Sequence, residues 1–178
     1  MAGCHGGWHT RGERRAIGRV SVGIPAGGNL LWAGDKSPAP NVGATVAVEK
    51  FLRDRVALIG GLTPYRYYDQ EDGAVHAHEI HIGARYFAPV EFHLGNVRMG
   101  VFLDASLGVI QSSKSIPEAG TDTNITQESG IGLEAHVGEN TSLIAGYHQR
   151  HISNGGKNAP YNPGYNDHQV FLGLTWRW

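Results

Sequence analysis

The sequence predicts an all-β protein, an eight-stranded antiparallel up-and-down β-barrel of the outer-membrane kind. Three observations predict it. Apolar residues recur in short alternating segments, and no helical period lasts beyond two turns. The connections alternate between tight turns and long polar loops, as they do when each strand crosses a membrane and returns. Glycine makes up 26 of the 178 residues, about twice its usual share of ~7%. Much of it falls inside the strand segments, where curved walls need small side chains.

Taken in order, the strands are expected over 14–24, 42–51, 55–67, 78–87, 97–110, 126–137, 141–153 and 167–178. A membrane strand needs only ~9–11 residues, so eight fit the length. The 51–55 link is short, and Gly138-Glu139-Asn140 reads as a tight hairpin. The stretches 25–41, 68–77, 111–125 and 154–166 are long and rich in Gly, Pro, Asn and Ser. The last strand is the clearest. Val170, Leu172, Leu174, Trp176 and Trp178 share one face, and Phe171, Gly173, Thr175 and Arg177 share the other. Its apolar face ends in two Trp, which favour a membrane–water interface. In a soluble sandwich the same alternation would mean core inside and solvent outside.

Composition excludes several classes. Net charge is −1, so nothing draws the chain generally toward nucleic acid. The single cysteine, Cys4, rules out an internal disulfide framework and any multi-cysteine metal site. No apolar run approaches the ~18 residues of a membrane helix; the longest, Val56 to Leu62, is strand-sized. Met1-Ala2-Gly3-Cys4 is similar to the end of a lipoprotein signal, with an arbitrary start beside a free thiol as the plainer alternative. Residues 1–13 are therefore taken as an N-terminal extension or signal remnant, and 14–178 as the barrel.

One segment has the makings of chemistry: Tyr147-His148-Gln149-Arg150-His151-Ile152-Ser153-Asn154-Gly155-Gly156. His151 and Ser153 are two apart, so on a strand they share a face. A serine hydroxyl needs an adjacent base before it is a useful nucleophile, and an imidazole supplies one. Asn154 and the glycines through Gly156 offer an amide and unhindered N–H groups to an oxyanion. Alone, His-x-Ser is equally a polar pair at a strand end. Parity adds a location. Leu143, Ala145 and Tyr147 share the face that continues through Gln149 to His151 and Ser153, so the pair is expected on the lipid-facing wall where the strand meets a long loop. Ionisable groups are expensive there and point to function. A site so placed can meet only a lipid-like substrate.

These residues resemble the outer-membrane lipid A 3-O-deacylases, the PagL-type acyloxyacyl hydrolases. The resemblance covers roughly the C-terminal two thirds of the chain. It runs from Gly83-Ala84-Arg85-Tyr86-Phe87 through Gly120-Thr121 and Gln127-Glu128-Ser129-Gly130-Ile131-Gly132-Leu133-Glu134 to Gly146-Tyr147. It culminates in His151-Ile152-Ser153-Asn154-Gly155-Gly156 and Asn162-Pro163-Gly164-Tyr165-Asn166. The resemblance implies an eight-stranded barrel in the bacterial outer membrane that hydrolyses the 3-position acyl ester of lipid A. It implies no metal or organic cofactor, and outer-membrane lipids as surroundings; a homodimer is left open. Carried over, Ser153 is the nucleophile, His151 the general base and then acid, and Asn154 or Asn162 an oxyanion partner. The best-known family pattern has Glu where this chain has Asn166. Asn orients an imidazole but does not offset the charge of imidazolium. Asp167, Glu134 and Glu128 are held in reserve as the third member, with Asp167 expected on the lumen face.

Other features carry less. His76, His78 and His81 cluster with Glu79, but His81 lies on the opposite face from the other two, so strand-end residues are favoured over a metal site. Lys114, Lys157 and Arg150 are basic groups near the long loops that would suit lipid phosphates, or simply solubilise loops. Tyr65, Tyr67, Tyr68, Tyr86 and Phe87 suit an aromatic girdle or ordinary packing. Two other readings stand beside the hydrolase: a catalytically inactive structural or adhesive barrel, and a soluble barrel that binds small apolar ligands.

Overall fold

A computed structural model describes residues 18–28, 40–68, 73–116, 120–156 and 164–178. The extension expected over 1–13, with Cys4, lies outside them, as do Lys157 and Asn162. The described residues form β1 (Gly18–Gly28), β2 (Asn41–Gly43), β3 (Thr45–Arg53), β4 (Val56–Tyr67), β5 (Val75–Leu94), β6 (Val97–Ile116), β7 (Thr121–His136), β8 (Thr141–Ser153) and β9 (Tyr165–Arg177). Each strand pairs antiparallel with its neighbours in the sheet. Pairing of β1 with β9, from Arg19 opposite Arg177 to Gly28 opposite His168, closes the barrel.

The second expected strand is split into β2 and β3, so nine segments make eight staves. The break sits beside Pro64 of β4. Proline has no N–H to give the ladder, and Ala44 instead donates its own N–H to the Pro64 carbonyl at 3.1 Å. Strand β5 runs on to Leu94 where an end at 87 was expected. The Ala88-Pro89-Val90 stretch is absorbed as a register shift between Phe87 and Glu91, as proline at a bulge permits. The turn to β6 then uses Gly95 at φ +60°. Strands β6 and β7 also consume most of the expected 111–125 loop.

The exterior is apolar and the interior carries the buried charges, unlike a soluble sandwich. Ile80, Ile82, Leu107 and Leu172 are each about 60–70% exposed on the outer face, while Glu49, Glu79, Glu134, Arg150 and Asp167 are at most 2% exposed inside. Such a surface is stable in lipid, where closure leaves no unpaired strand edge. Two apolar clusters fill the barrel. Phe51, Ala57, Phe87, Phe102, Ile144 and Phe171 pack toward the short-turn end, and Tyr65, Tyr67, Val75, Ile110, Ile116 and Ile152 toward the loops.

Charged groups occupy the interior between them, and they are paired, as buried charges must be. Arg85 binds Glu49 at 2.7 Å and both oxygens of Asp104 at 2.7 Å. His148 bridges Asp104 at 3.3 Å and Glu128 at 3.0 Å. The filled lumen explains part of the glycine content. A Cβ on Gly130 would lie 2.0 Å from His148 Cδ2, and one on Gly132 2.2 Å from Phe102 Cζ.

Candidate active site

The face assignment of β8 decides where the site can be. Even residues from Ser142 through Ile152 turn inward; Leu143, Ala145, Gln149 and their odd neighbours turn outward. His151 and Ser153 are therefore on the outer wall, at the end of the strand that meets a long loop. On β9 the even residues face out, and the β8–β9 register sets Asn166 directly opposite His151.

The two side chains meet: His151 Nδ1 lies 3.0 Å from Asn166 Oδ1. A carboxamide oxygen only accepts, so Nδ1–H donates and Nε2 keeps its lone pair. The imidazole is thereby held in the tautomer a general base needs. Gly164 closes over the pair. A Cβ there would lie 3.2 Å from His151 Cε1 and 3.3 Å from Ser153 Cβ, so the returning chain packs against both. In the sequence Gly164 belongs to a motif without a role of its own, and its Asn-Pro-Gly setting is the available signal.

The other expected site residues are placed differently. Asn154 is 3% exposed, and its Oδ1 accepts the Gly156 N–H at 2.9 Å. The two residues close a turn through Gly155 and Gly156, at φ +66° and +75°. The Gly156 N–H expected to face an oxyanion is thus taken up within that turn. Asp167 is fully buried inside the barrel, bonded to Arg150 at 2.5 Å and to Asn41 and Gln169 at 3.0 Å each. Glu128 binds His148 inside the lumen at 3.0 Å. Glu134 is also internal and lies opposite Ile144, well down β8 from His151. All three acids are on the wrong face to reach the imidazole, because neighbours along a strand alternate sides.

The same alternation decides between the alternatives left open for several other residues. Arg150 is fully buried and faces inward, so it meets Glu79 and Asp167 and is closed to lipid phosphate. Tyr65, Tyr67 and Phe87 are core residues, while Tyr68 and Tyr86 face outward. His76 and His78 turn out while Glu79 and His81 turn in, so the four do not converge. Lys114 is exposed near the end of β6.

Further polar residues surround the pair on the outer wall. Gln127 of β7 is the cross-strand partner of His151, and Ser129 that of Gln149. The Tyr147 hydroxyl and His168 Nδ1 of β9 are hydrogen-bonded to each other. Polar groups are rare on a lipid-facing wall, and parity along β7 and β9 was enough to find these. A shallow groove leads from His151 and Asn166 across the wall toward Leu58. Chemically, a hydroxyl, an oriented base and this polar surround suit acyl transfer from a lipid ester.

A family model described as lipid A 3-O-deacylase (PagL) matches residues 55–175. No curated protein matches the chain. Among solved structures, Neisserial surface protein A superposes with a TM-score of 0.67 at 16% identity, covering 92% of this chain and 98% of that one. Outer membrane protein H from P. aeruginosa, solved in DHPC micelles, gives 0.62 at 13% identity, covering 92% and 100%. The outer membrane enzyme PagL gives 0.53 at 19% identity, covering 87% and 97%. At these identities the structures speak to the barrel fold.

Proposed function

Because the chain belongs to the lipid A 3-O-deacylase (PagL) family and has the fold of a bacterial outer-membrane β-barrel, we propose that it is a serine esterase that removes the ester-linked 3-O-acyl chain of lipid A. The observation that carries this is the 3.0 Å bond from His151 Nδ1 to Asn166 Oδ1 on the outer wall, on the same face as Ser153.

The chemistry follows from that bond. His151 Nε2 takes the Ser153 Oγ proton as Oγ attacks the ester carbonyl. The tetrahedral intermediate collapses, the bond to the sugar oxygen breaks, and His151 returns the proton to that oxygen. Water, deprotonated by the same nitrogen, then hydrolyses the acyl-Ser153 ester to a free fatty acid. Asn166 holds the ring and its tautomer throughout. Asn162 is assigned to the oxyanion by family likeness. Because Asn166 is neutral, the imidazolium formed in each step lacks the carboxylate that a charged third member would supply.

That neutral residue also favours a second reading, a barrel of the same shape that no longer turns over. Mass spectrometry of lipid A from cells expressing the chain behind a functional export signal separates them. The esterase reading expects loss of one acyl chain with wild type and none with Ser153→Ala. An unchanged lipid A with both would establish the inactive barrel.

A further inference from the structure

Inside the barrel a cavity of about 90 Å³ lies between the two apolar clusters. Ile144 and Phe171 of one cluster and Tyr65 of the other bound it. The rest of its wall is polar, and its charges do not balance. Glu49, Asp104 and Glu128 line it, against Arg85 and His148. His148 counts as a full cation: Nε2 lies 3.3 Å from Asp104 and Nδ1 3.0 Å from Glu128. A carboxylate only accepts, so both ring nitrogens carry protons. Three acids thus face two cations among the described residues. The adjoining network has Glu79 and Asp167 around Arg150 alone and brings no spare positive charge. Strand β1 adds none at this level, since Gly27 and Pro25 stand opposite Gln169 and Phe171.

Gln169 marks where the missing charge goes. Its Nε2 donates to Asp167 Oδ2 at 3.0 Å and to Asn41 Oδ1 at 3.3 Å. The Asp167 carboxylate fixes this orientation, because an amide oxygen turned toward it would meet another acceptor. Gln169 is 1% exposed and lines the cavity, and its Oε1 has no hydrogen-bond donor among the described residues. Buried oxygens are rarely left so without a ligand or water to meet them. Thr45 and Thr63, with hydroxyls 2.9 Å apart, and Ser106 bring further oxygens to the same cavity. Neutral oxygens beside carboxylates suit a hard cation. No three His, Cys, Asp or Glu among the described residues converge as the ligands of a divalent metal would, and the charge to be met is a single one. We infer that the cavity binds a monovalent alkali cation, sodium or potassium, through Gln169 Oε1 and the Thr45 and Thr63 oxygens, beside Glu49 and Glu128. The ion completes the interior charge and ties β9 to β3 and β4 across the lumen. This site is independent of the esterase reading.

The test refolds the full chain into zwitterionic detergent micelles with a chelator, in sodium, potassium or choline chloride at one ionic strength. Choline keeps the ionic strength, but its methyl groups shield its charge from oxygen ligands. The unfolding temperature is read by heat-modifiability on gels while sodium or potassium replaces choline stepwise. For wild type the preferred ion is expected to raise it by about 3–6 °C per tenfold increase above half-saturation. Gln169→Met and Thr63→Val remove oxygens with little change in volume. Both are expected to flatten that slope, whatever they do to the temperature in choline. Equal wild-type temperatures in all three salts overturn the site and leave the cavity to water. Equal temperatures that rise together as pH falls overturn it too, and assign the missing charge to a proton on His81, which also lines the cavity. A wild-type slope that both variants keep overturns it as well, because the ion then binds elsewhere.

Discussion

Inside the barrel, the Arg150 guanidinium bonds the Asp167 carboxylate at 2.5 Å, one residue back along β8 from His151 and one residue on along β9 from Asn166. The inner pair and the outer pair are two sides of the same pairing of strands. Arg150 also reaches Glu79 and the Tyr67 hydroxyl at 3.0 Å each, and stacks over Tyr65 at 4.3 Å. The register that brings the imidazole to its carboxamide is therefore bolted from within.

Arg150→Ala leaves Glu79 and Asp167 buried without their cation. Breaking a buried pair by removing one partner costs about 3–5 kcal/mol. The expected outcome is a lower unfolding temperature in detergent, read by heat-modifiability on gels, with a loss of ester hydrolysis that follows it.

Ser153→Ala removes the nucleophile without touching the barrel. Ester hydrolysis is expected to fall by at least about 10³-fold, as when a nucleophile of a catalytic triad is deleted, with unfolding unchanged. Full activity in this variant would end the assignment.

Asn166 makes a finer prediction. Asn166→Ala frees the imidazole to rotate and change tautomer, so kcat is expected to drop while KM moves little. Asn166→Asp keeps the acceptor and adds the charge that stabilises imidazolium, so kcat is expected to rise above wild type. Steady-state kinetics on a single lipid ester reads both.

Gly164→Val would push branched carbon into space where even a Cβ sits 3.2 Å from His151 Cε1 and 3.3 Å from Ser153 Cβ. Displacing a reacting group by about 1 Å costs on the order of 10²-fold. Activity is expected to fall by that order while the barrel melts as wild type does.

Gly130→Ala acts on the wall instead. Its methyl would meet the Tyr147 carbonyl at 2.3 Å as well as the His148 ring. Backbone cannot move aside as a flexible side chain can, and overpacking of this kind costs about 1–3 kcal/mol. Reduced yield of folded barrel is the outcome to measure.

Alternation along a strand is a property of the chain itself, and much was legible from it. The faces of β8 and β9, the outward direction of His151, Ser153 and Asn166, and the inward direction of Asp167 all follow from counting by twos. The tight turns at 51–55 and 138–140 were legible in outline, whereas most of the expected 111–125 loop is strand, Pro89 is absorbed in a strand and Pro64 interrupts the neighbouring one. What the chain by itself determined was thus the type of barrel and which side of its wall each residue takes. Only the tertiary structure decided which residues stand opposite one another: His151 with Asn166, Arg150 with Asp167, Ala84 with Ala105. It also decided that Asn154 and Gly156 satisfy each other within a turn. Register and closure depend on hydrogen bonds between segments far apart in sequence and on how side chains fill one shared lumen, and no local pattern contains that information.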